Sequence, residues 1–115
     1  MGERSNFALL PPMIVGFQQI IEWGIDAIQE TIAGMTDIIA NRAVENGLKV
    51  SNRLDRAGHF LGVRLPGGVP SDLTAQLAKQ NVFVSVRGDS VRITPHLYNN
   101  SDDVDRLFKF LVPYI

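Results

Sequence analysis

Apolar residues in the first half of the chain recur at steps of three and four positions. The series follows Pro11-Pro12 and consists of Ile14, Phe17, Ile21, Ile25, Ile28, Ile32, Met35 and Ile39. Such spacing places side chains on one face of a helix, and it predicts a helical stretch from Pro12 to Asn46. Gly24 lies inside the pattern and favours a kink or a break. Gly47 follows the pattern and is a natural C-terminal cap.

The second half alternates between short β-type runs and turn residues. The predicted elements are strands at 59–65, 82–86 and 91–94, a turn at 87–90, a short helix from Ser71 to Gln80 and a final helix capped by Asn100 or Ser101. The last two strands should form a hairpin. The order predicts an α+β fold, in which a long N-terminal helical segment precedes a small, mostly antiparallel sheet of about three strands with helices packed on one face.

Composition narrows the class of protein. The chain has 115 residues, 45% of them hydrophobic and 20% charged, as expected for one soluble domain. A net charge of -1 argues against a nucleic-acid partner. With no cysteine and only two histidines, we expect neither thiol chemistry nor a metal site. No apolar run approaches the roughly 20 residues of a membrane span, and no signal pattern opens the chain, so a cytoplasmic location is the default expectation.

Arg92 is the most informative candidate for chemistry, because it lies inside the short apolar strand predicted at 91–94. A desolvated charge without a partner is costly, so an arginine there indicates an anion nearby. The planar guanidinium suits a carboxylate held by two parallel hydrogen bonds. The functional interpretation is a carboxylate receptor. The structural alternative is a strand-edge arginine paired with an aspartate or glutamate of the chain.

The residues around Arg92 resemble a known family. The run from Val84 to Asn99 is similar to the C-terminal end of class V aminotransferase-like proteins, which are pyridoxal-phosphate enzymes of fold-type I. This group includes cysteine desulfurases, kynureninases and isopenicillin N epimerase-like proteins. Further motifs that look like this group are Gly2 to Phe7, Glu22-Trp23-Gly24, His59 to Leu65 and Val104-Asp105-Arg106-Leu107. The resemblance extends over essentially the whole chain.

The resemblance implies that the chain corresponds only to the last part of such an enzyme. Residues 1–11 would be a loop from the active-site side of a missing large domain, residues 12–46 a connecting helix, and residues 47–115 a small α+β domain. In the family, the large domain supplies the lysine that binds pyridoxal phosphate, the aspartate paired with its pyridine nitrogen and most phosphate contacts. These motifs are missing from the sequence. We therefore expect an enzyme in the full-length parent, but a chain that alone holds no cofactor and is catalytically incompetent.

The same resemblance assigns candidate binding residues. Arg92 matches the family arginine that binds the substrate α-carboxylate. Arg87 is a second candidate for substrate binding, although a solvated turn arginine is the favoured interpretation. Arg4 and Ser5 stand where the family commonly has Gly-Thr-Pro, and they would contact the cofactor phosphate only in the complete enzyme. The implied partners are an amino-acid substrate, the large cofactor domain and a second subunit in a homodimer, with no catalytic residue and no metal ligand in this chain.

Other polar and aromatic residues receive structural interpretations. We expect Asn99 to organise a turn, His59 and His96 to lie at the surface, and Tyr98 to pack with a partner for its hydroxyl. Two alternative functions remain: a free-standing amino-acid-binding module, and an oligomerisation module that uses the apolar series of the first helix. The reaction of the parent stays open among transamination, desulfuration, side-chain cleavage and epimerisation, and the lack of cysteine weakens desulfuration.

Overall fold

Two helices form the first part of the chain in a computed structural model that describes residues 8–115. Helix α1 spans Leu10–Trp23 and helix α2 spans Ile25–Glu45. Gly24 separates them with a φ of 83° and a ψ of 124°, a backbone conformation open almost only to glycine. The predicted break at Gly24 is therefore confirmed. Helix α1 begins at Leu10 rather than Pro12, with proline in its first turn.

A glycine-dependent turn ends α2 and directs the chain into the sheet. Gly47 has a φ of 81°, and its N–H donates to the Val44 carbonyl at 3.0 Å. The Leu48 N–H donates to the Ala43 carbonyl at 2.9 Å. These two bonds define a Schellman cap, which satisfies carbonyl groups that the helix end leaves free. The prediction that Gly47 terminates the helix is confirmed.

The sheet has four strands in the order β1-β2-β4-β3, and each neighbouring pair is antiparallel. The strands are β1 at Lys49–Val50, β2 at Leu61–Arg64, β3 at Ser85–Arg87 and β4 at Ser90–Ile93. The predicted α+β class is confirmed, but the estimate of about three strands was low. Strand β1 is only two residues long, so it is too short to show an alternation of apolar and polar residues in the sequence.

The predicted hairpin joins β3 and β4 through Gly88 and Asp89, and Gly88 adopts a φ of 60°. The other strand bounds differ from the predictions. The strand expected at 82–86 spans Ser85–Arg87, and the turn expected at 87–90 is limited to Gly88 and Asp89, because Arg87 and Ser90 pair in the ladder. The strand expected at 59–65 is limited to residues 61–64.

One face of the sheet carries the core. Residues Leu61 and Val63 of β2, and Val91 and Ile93 of β4, are buried together with side chains of the helices. The helical contributors are Ile39, Ala40 and Ala43 of α2, Leu73 and Leu77 of α3 (Leu73–Ala78), and Val104, Leu107, Phe108 and Leu111 of α4 (Ser101–Leu111). Helices on one face of the sheet are thus confirmed. The predicted cap at Ser71 was wrong, because Asp72 holds the N-cap position of α3 and makes no side-chain capping bond.

Helix α4 begins with reciprocal side-chain caps. The Asn100 side chain accepts a hydrogen bond from the Asp103 N–H at 3.1 Å, and the Asp103 carboxylate accepts one from the Asn100 N–H at 3.0 Å. This capping box satisfies two donors at the helix start. Of the two predicted caps, Asn100 and Ser101, the N-cap is therefore Asn100. Single turns of 3₁₀ helix occur at Arg53–Asp55 and at Val112–Tyr114.

The apolar series of the first helices reaches the core only in α2. Helix α1 has no buried residue, and Phe17 and Ile21 are 57% and 72% exposed. Helix α2 buries Ile32 and Ile39 from the same series. Within residues 8–115, no helix combines the length and the apolarity that a membrane crossing requires.

Candidate functional site

Arg92 lies on the face of the sheet opposite the core. Its chain neighbours Val91 and Ile93 are buried on the helix side, and side chains alternate between faces along a strand. Arg92 pairs with Gly62 of β2 on one side and with Ser85 of β3 on the other. Strand β4 is therefore an inner strand, and the alternative of a strand-edge arginine is wrong.

The guanidinium of Arg92 stacks on an aromatic ring and has one buried donor without an acceptor in the described part of the chain. Its central carbon lies 4.6 Å from the centroid of the Phe60 ring, a cation–π contact. The Nε atom is buried and has no hydrogen-bond partner among residues 8–115. Within residues 8–115, no aspartate or glutamate forms an ion pair with Arg92. A buried donor without an acceptor costs about 1–3 kcal/mol, so this position favours an acceptor supplied from outside the described part of the chain.

Phe60 is the residue of this site that sequence reasoning did not single out. It precedes β2 and contacts the Arg92 guanidinium, while the His59 ring meets it edge-on at a centroid distance of 5.0 Å. The loop that carries Phe60 is fixed to α2, because the Thr36 hydroxyl donates to the Gly58 carbonyl at 2.9 Å. Because side chains of successive residues alternate between the two faces of a sheet, Phe60 is expected on the face opposite to that of the buried Leu61. Only the register between β2 and β4 reveals that this is the face of Arg92.

Arg87 lies at the end of β3, on the same face of the sheet. It pairs with Ser90, whereas Arg92 pairs with Ser85 two residues earlier on β3, so the two arginines are diagonal cross-strand neighbours. Arg87 is exposed and makes no ion pair with the described residues. The structure therefore brings the two sequence-predicted arginines to one surface. Arg4 and Ser5 lie outside the described residues.

Asn99 organises the turn after β4, as predicted. Its side-chain oxygen accepts a hydrogen bond from the His96 N–H at 2.8 Å, and its amide nitrogen donates to the Asp103 carboxylate at 3.2 Å. The turn is thereby joined to the start of α4. The prediction that Tyr98 packs with a partner for its hydroxyl was wrong in the main, because Tyr98 is 80% exposed; its one aromatic contact with the described residues is a stack on the His96 ring at 5.2 Å.

The described residues do not fit a covalent site for pyridoxal phosphate. Such a site needs a lysine that is shielded from solvent in a cavity, since burial lowers the cost of keeping its amine neutral and reactive. Lys49, Lys79 and Lys109 are all exposed. A groove of about 370 Å³ between α2, β4 and α4 contains none of them.

Comparison with known proteins gives a likeness of fold. No model of a protein family and no curated protein sequence matches the chain. Among the solved structures that match is a protein named NIFS-like protein, with a TM-score of 0.59 and 19% sequence identity. The match covers 73% of this chain and 28% of that chain. The present chain thus shares its fold with a part of that structure and spans well under half of its length.

Proposed function

We propose that this chain is the C-terminal small domain of a pyridoxal-phosphate-dependent, class V aminotransferase-like enzyme, and that Arg92 binds the α-carboxylate of its amino-acid substrate. One observation carries the proposal: Arg92 lies on an inner strand with a buried, unpartnered Nε. The fold likeness to a NIFS-like protein, an enzyme of that group, supports the assignment, as does the sequence resemblance around Arg92.

Arg92 would act by orienting the substrate. Two parallel hydrogen bonds from a planar guanidinium fix both the position and the plane of a carboxylate. The Phe60 ring, 4.6 Å from the guanidinium carbon, limits the orientations that the arginine itself can adopt. A substrate held in one orientation reaches the reactive geometry more often, and this contributes to rate acceleration. The cofactor of the parent enzyme would supply the electron sink for chemistry at the α-carbon.

The same proposal includes the large domain and the subunit arrangement of the parent enzyme. Its large domain would carry the cofactor lysine, and two subunits would form a homodimer in the cytoplasm. Helix α1 buries none of its residues, and its large apolar side chains are 40–72% exposed, which marks an interaction surface. In the parent enzyme, we propose that the large domain covers this helix. The proposal leaves the reaction type and the identity of the amino acid open.

The first test separates a domain of a larger enzyme from a free-standing amino-acid-binding module. The 115-residue chain is titrated calorimetrically with a panel of L-amino acids, and the Arg92→Ala variant is titrated in parallel. As half of a composite site, the chain should give no measurable heat of binding. Saturable binding that disappears in Arg92→Ala would favour the free-standing module and contradict the proposed function.

The second test uses the reading frame upstream of codon 1. That frame should encode a large α/β domain with the cofactor lysine. In the resulting holoenzyme, Arg92→Ala should lower kcat/KM for the amino acid by about a hundredfold or more, equivalent to about 2.8 kcal/mol. Arg92→Lys should recover only part of the loss, because an ammonium group lacks the planar fork. Lys109→Ala, on the exposed side of α4, is the control and should leave kcat/KM unchanged.

A further inference from the structure

The outer face of the sheet, on the side of Arg92, concentrates positive charge. Residues directly opposite each other on antiparallel strands point to the same face. Lys49 is opposite Arg64, Arg64 is opposite Ser90, and Ser90 is opposite Arg87. These four residues therefore form a row of side chains that crosses all four strands. Arg92 lies on the same face, in the next row along the strands. Four cationic side chains share one surface of a chain whose net charge is -1.

Very little of this charge is compensated within the sheet. Among the residues of the four strands and the β3–β4 turn, Asp89 is the one carboxylate, and it pairs with Arg64 at 3.1 Å. Arg87 and Arg92 form no ion pair with the described residues. Like charges on neighbouring strands destabilise a sheet. An arrangement with this cost indicates an anionic ligand for the two arginines that Asp89 does not neutralise.

Small residues leave space between the arginines. Gly62 and Ser85 flank Arg92 on the two neighbouring strands, and Ser90 flanks Arg87. A Cβ atom built at Gly62 would meet only the Ser90 Cβ, at 3.9 Å. The surface between the arginine side chains therefore has a floor of small residues, so no bulky side chain of these strands separates a ligand from the two guanidinium groups.

The spacing suits a ligand with two acidic groups. Diagonal neighbours on adjacent antiparallel strands are about 7–8 Å apart, and Arg87 and Arg92 are such neighbours. Two carboxylates separated by two or three carbon atoms can therefore each meet one guanidinium, since both arginine side chains are long and adjustable. A single carboxylate would satisfy Arg92 and leave Arg87 without a partner.

We infer that the substrate is an amino acid with a second acidic group in its side chain, and that Arg87 binds this group while Arg92 binds the α-carboxylate. This inference rests on the proposed function and adds the substrate class. Arg87 is exposed, so its contact with the second acidic group is screened by water and salt. The resulting preference for an acidic over an isosteric neutral amino acid is about fivefold, and it declines as ionic strength rises.

The experiment titrates the holoenzyme with two isosteric pairs of amino acids and follows the cofactor absorbance. The pairs are L-glutamate with L-glutamine and L-aspartate with L-asparagine, so each pair differs only in the side-chain charge. The wild-type enzyme should bind the acidic member of at least one pair about fivefold more tightly, equivalent to about 1 kcal/mol. Arg87→Gln should remove this preference and leave the affinity for the neutral member within about twofold.

Two further variants separate the inference from the function on which it rests. Arg92→Gln should weaken binding of all four amino acids, whereas Lys79→Gln, an exposed residue at the C-cap of α3 and outside the sheet strands, should change none of the affinities. A wild-type enzyme without an acidic preference, or an Arg87→Gln variant that retains it, overturns the inference but leaves the proposed function standing. Unchanged binding of all four amino acids by Arg92→Gln overturns the proposed function and the inference together.

Discussion

Thr36 and Gly58 join helix α2 to the loop that carries the aromatic neighbour of Arg92. The Thr36 hydroxyl lies 2.9 Å from the Gly58 carbonyl and 3.0 Å from the Ile32 carbonyl of its own helix. Thr36 is only 1% exposed, the one buried polar residue of the described chain. The loop also approaches the helix closely, because a Cβ atom at Gly58 would lie 3.1 Å from the Ala33 Cβ.

The Thr36→Val variant tests this link. Valine keeps the shape of threonine but cannot donate, so the Gly58 carbonyl would lose its side-chain donor in a partly buried site. We expect the free energy of unfolding to fall by about 1–2 kcal/mol, measured by urea denaturation of the chain. Thr36→Ser keeps the hydroxyl and is the matched control, with a smaller loss from its missing methyl group. Equal stability of wild type and Thr36→Val would contradict the role of this bond.

The contribution of the N-terminal cap of α4 to stability can be tested in the same way. In Asn100→Ala, the Asp103 N–H loses its side-chain acceptor, and the capping box is broken. Loss of an N-cap typically costs about 1 kcal/mol, and we expect a loss of this size in urea denaturation. Asn100→Ser restores a capping oxygen and should recover most of the stability. A loss in Asn100→Ser as large as in Asn100→Ala would show that capping is not the cause.

The sequence predicted those elements whose local signals agree with their tertiary environment. Gly24 and Gly47 mark the ends of helices because both adopt a positive φ that other residues avoid. The hairpin between β3 and β4 is visible because Gly88 occupies its turn. The strand predicted at 91–94 is present as β4 at Ser90–Ile93, because its β-branched residues suit a strand that has a partner on both sides.

The remaining features depend on contacts that no short pattern contains. Strand β1 exists because Lys49 and Val50 pair with β2, and two residues show no periodicity. Phe60 became part of the site only through the register of β2 with β4. The length of the apolar series predicts an exposed face, because the remaining residues are too few to cover it, and Phe17, Ile21 and Ile25 are exposed. The spacing itself is the same in α1 as in the buried part of α2. Periodicity identifies an apolar face but not the surface that covers it.

Helix α1 leads to the last prediction, which concerns self-association. It has 14 residues, none of them buried, and isolated helices of about 12–15 residues are marginal in water. Without the large domain, we expect a second copy of the chain to cover the exposed apolar face around Phe17, Ile21, Ile25 and Ile28. Sedimentation velocity at high protein concentration should therefore show a dimer or larger species. Far-UV circular dichroism should show helix content that rises with concentration.

Two variants locate the interface. Ile21→Glu places a charge at a position that is 72% exposed in the chain alone, so it should shift the protein to a monomer without disturbing the core. Leu54→Glu makes the same change at a residue that is 97% exposed and lies outside both helices. It should leave association intact. A wild-type chain that sediments as a clean monomer at high concentration would rule out the prediction, and equal dissociation in both variants would place the interface elsewhere.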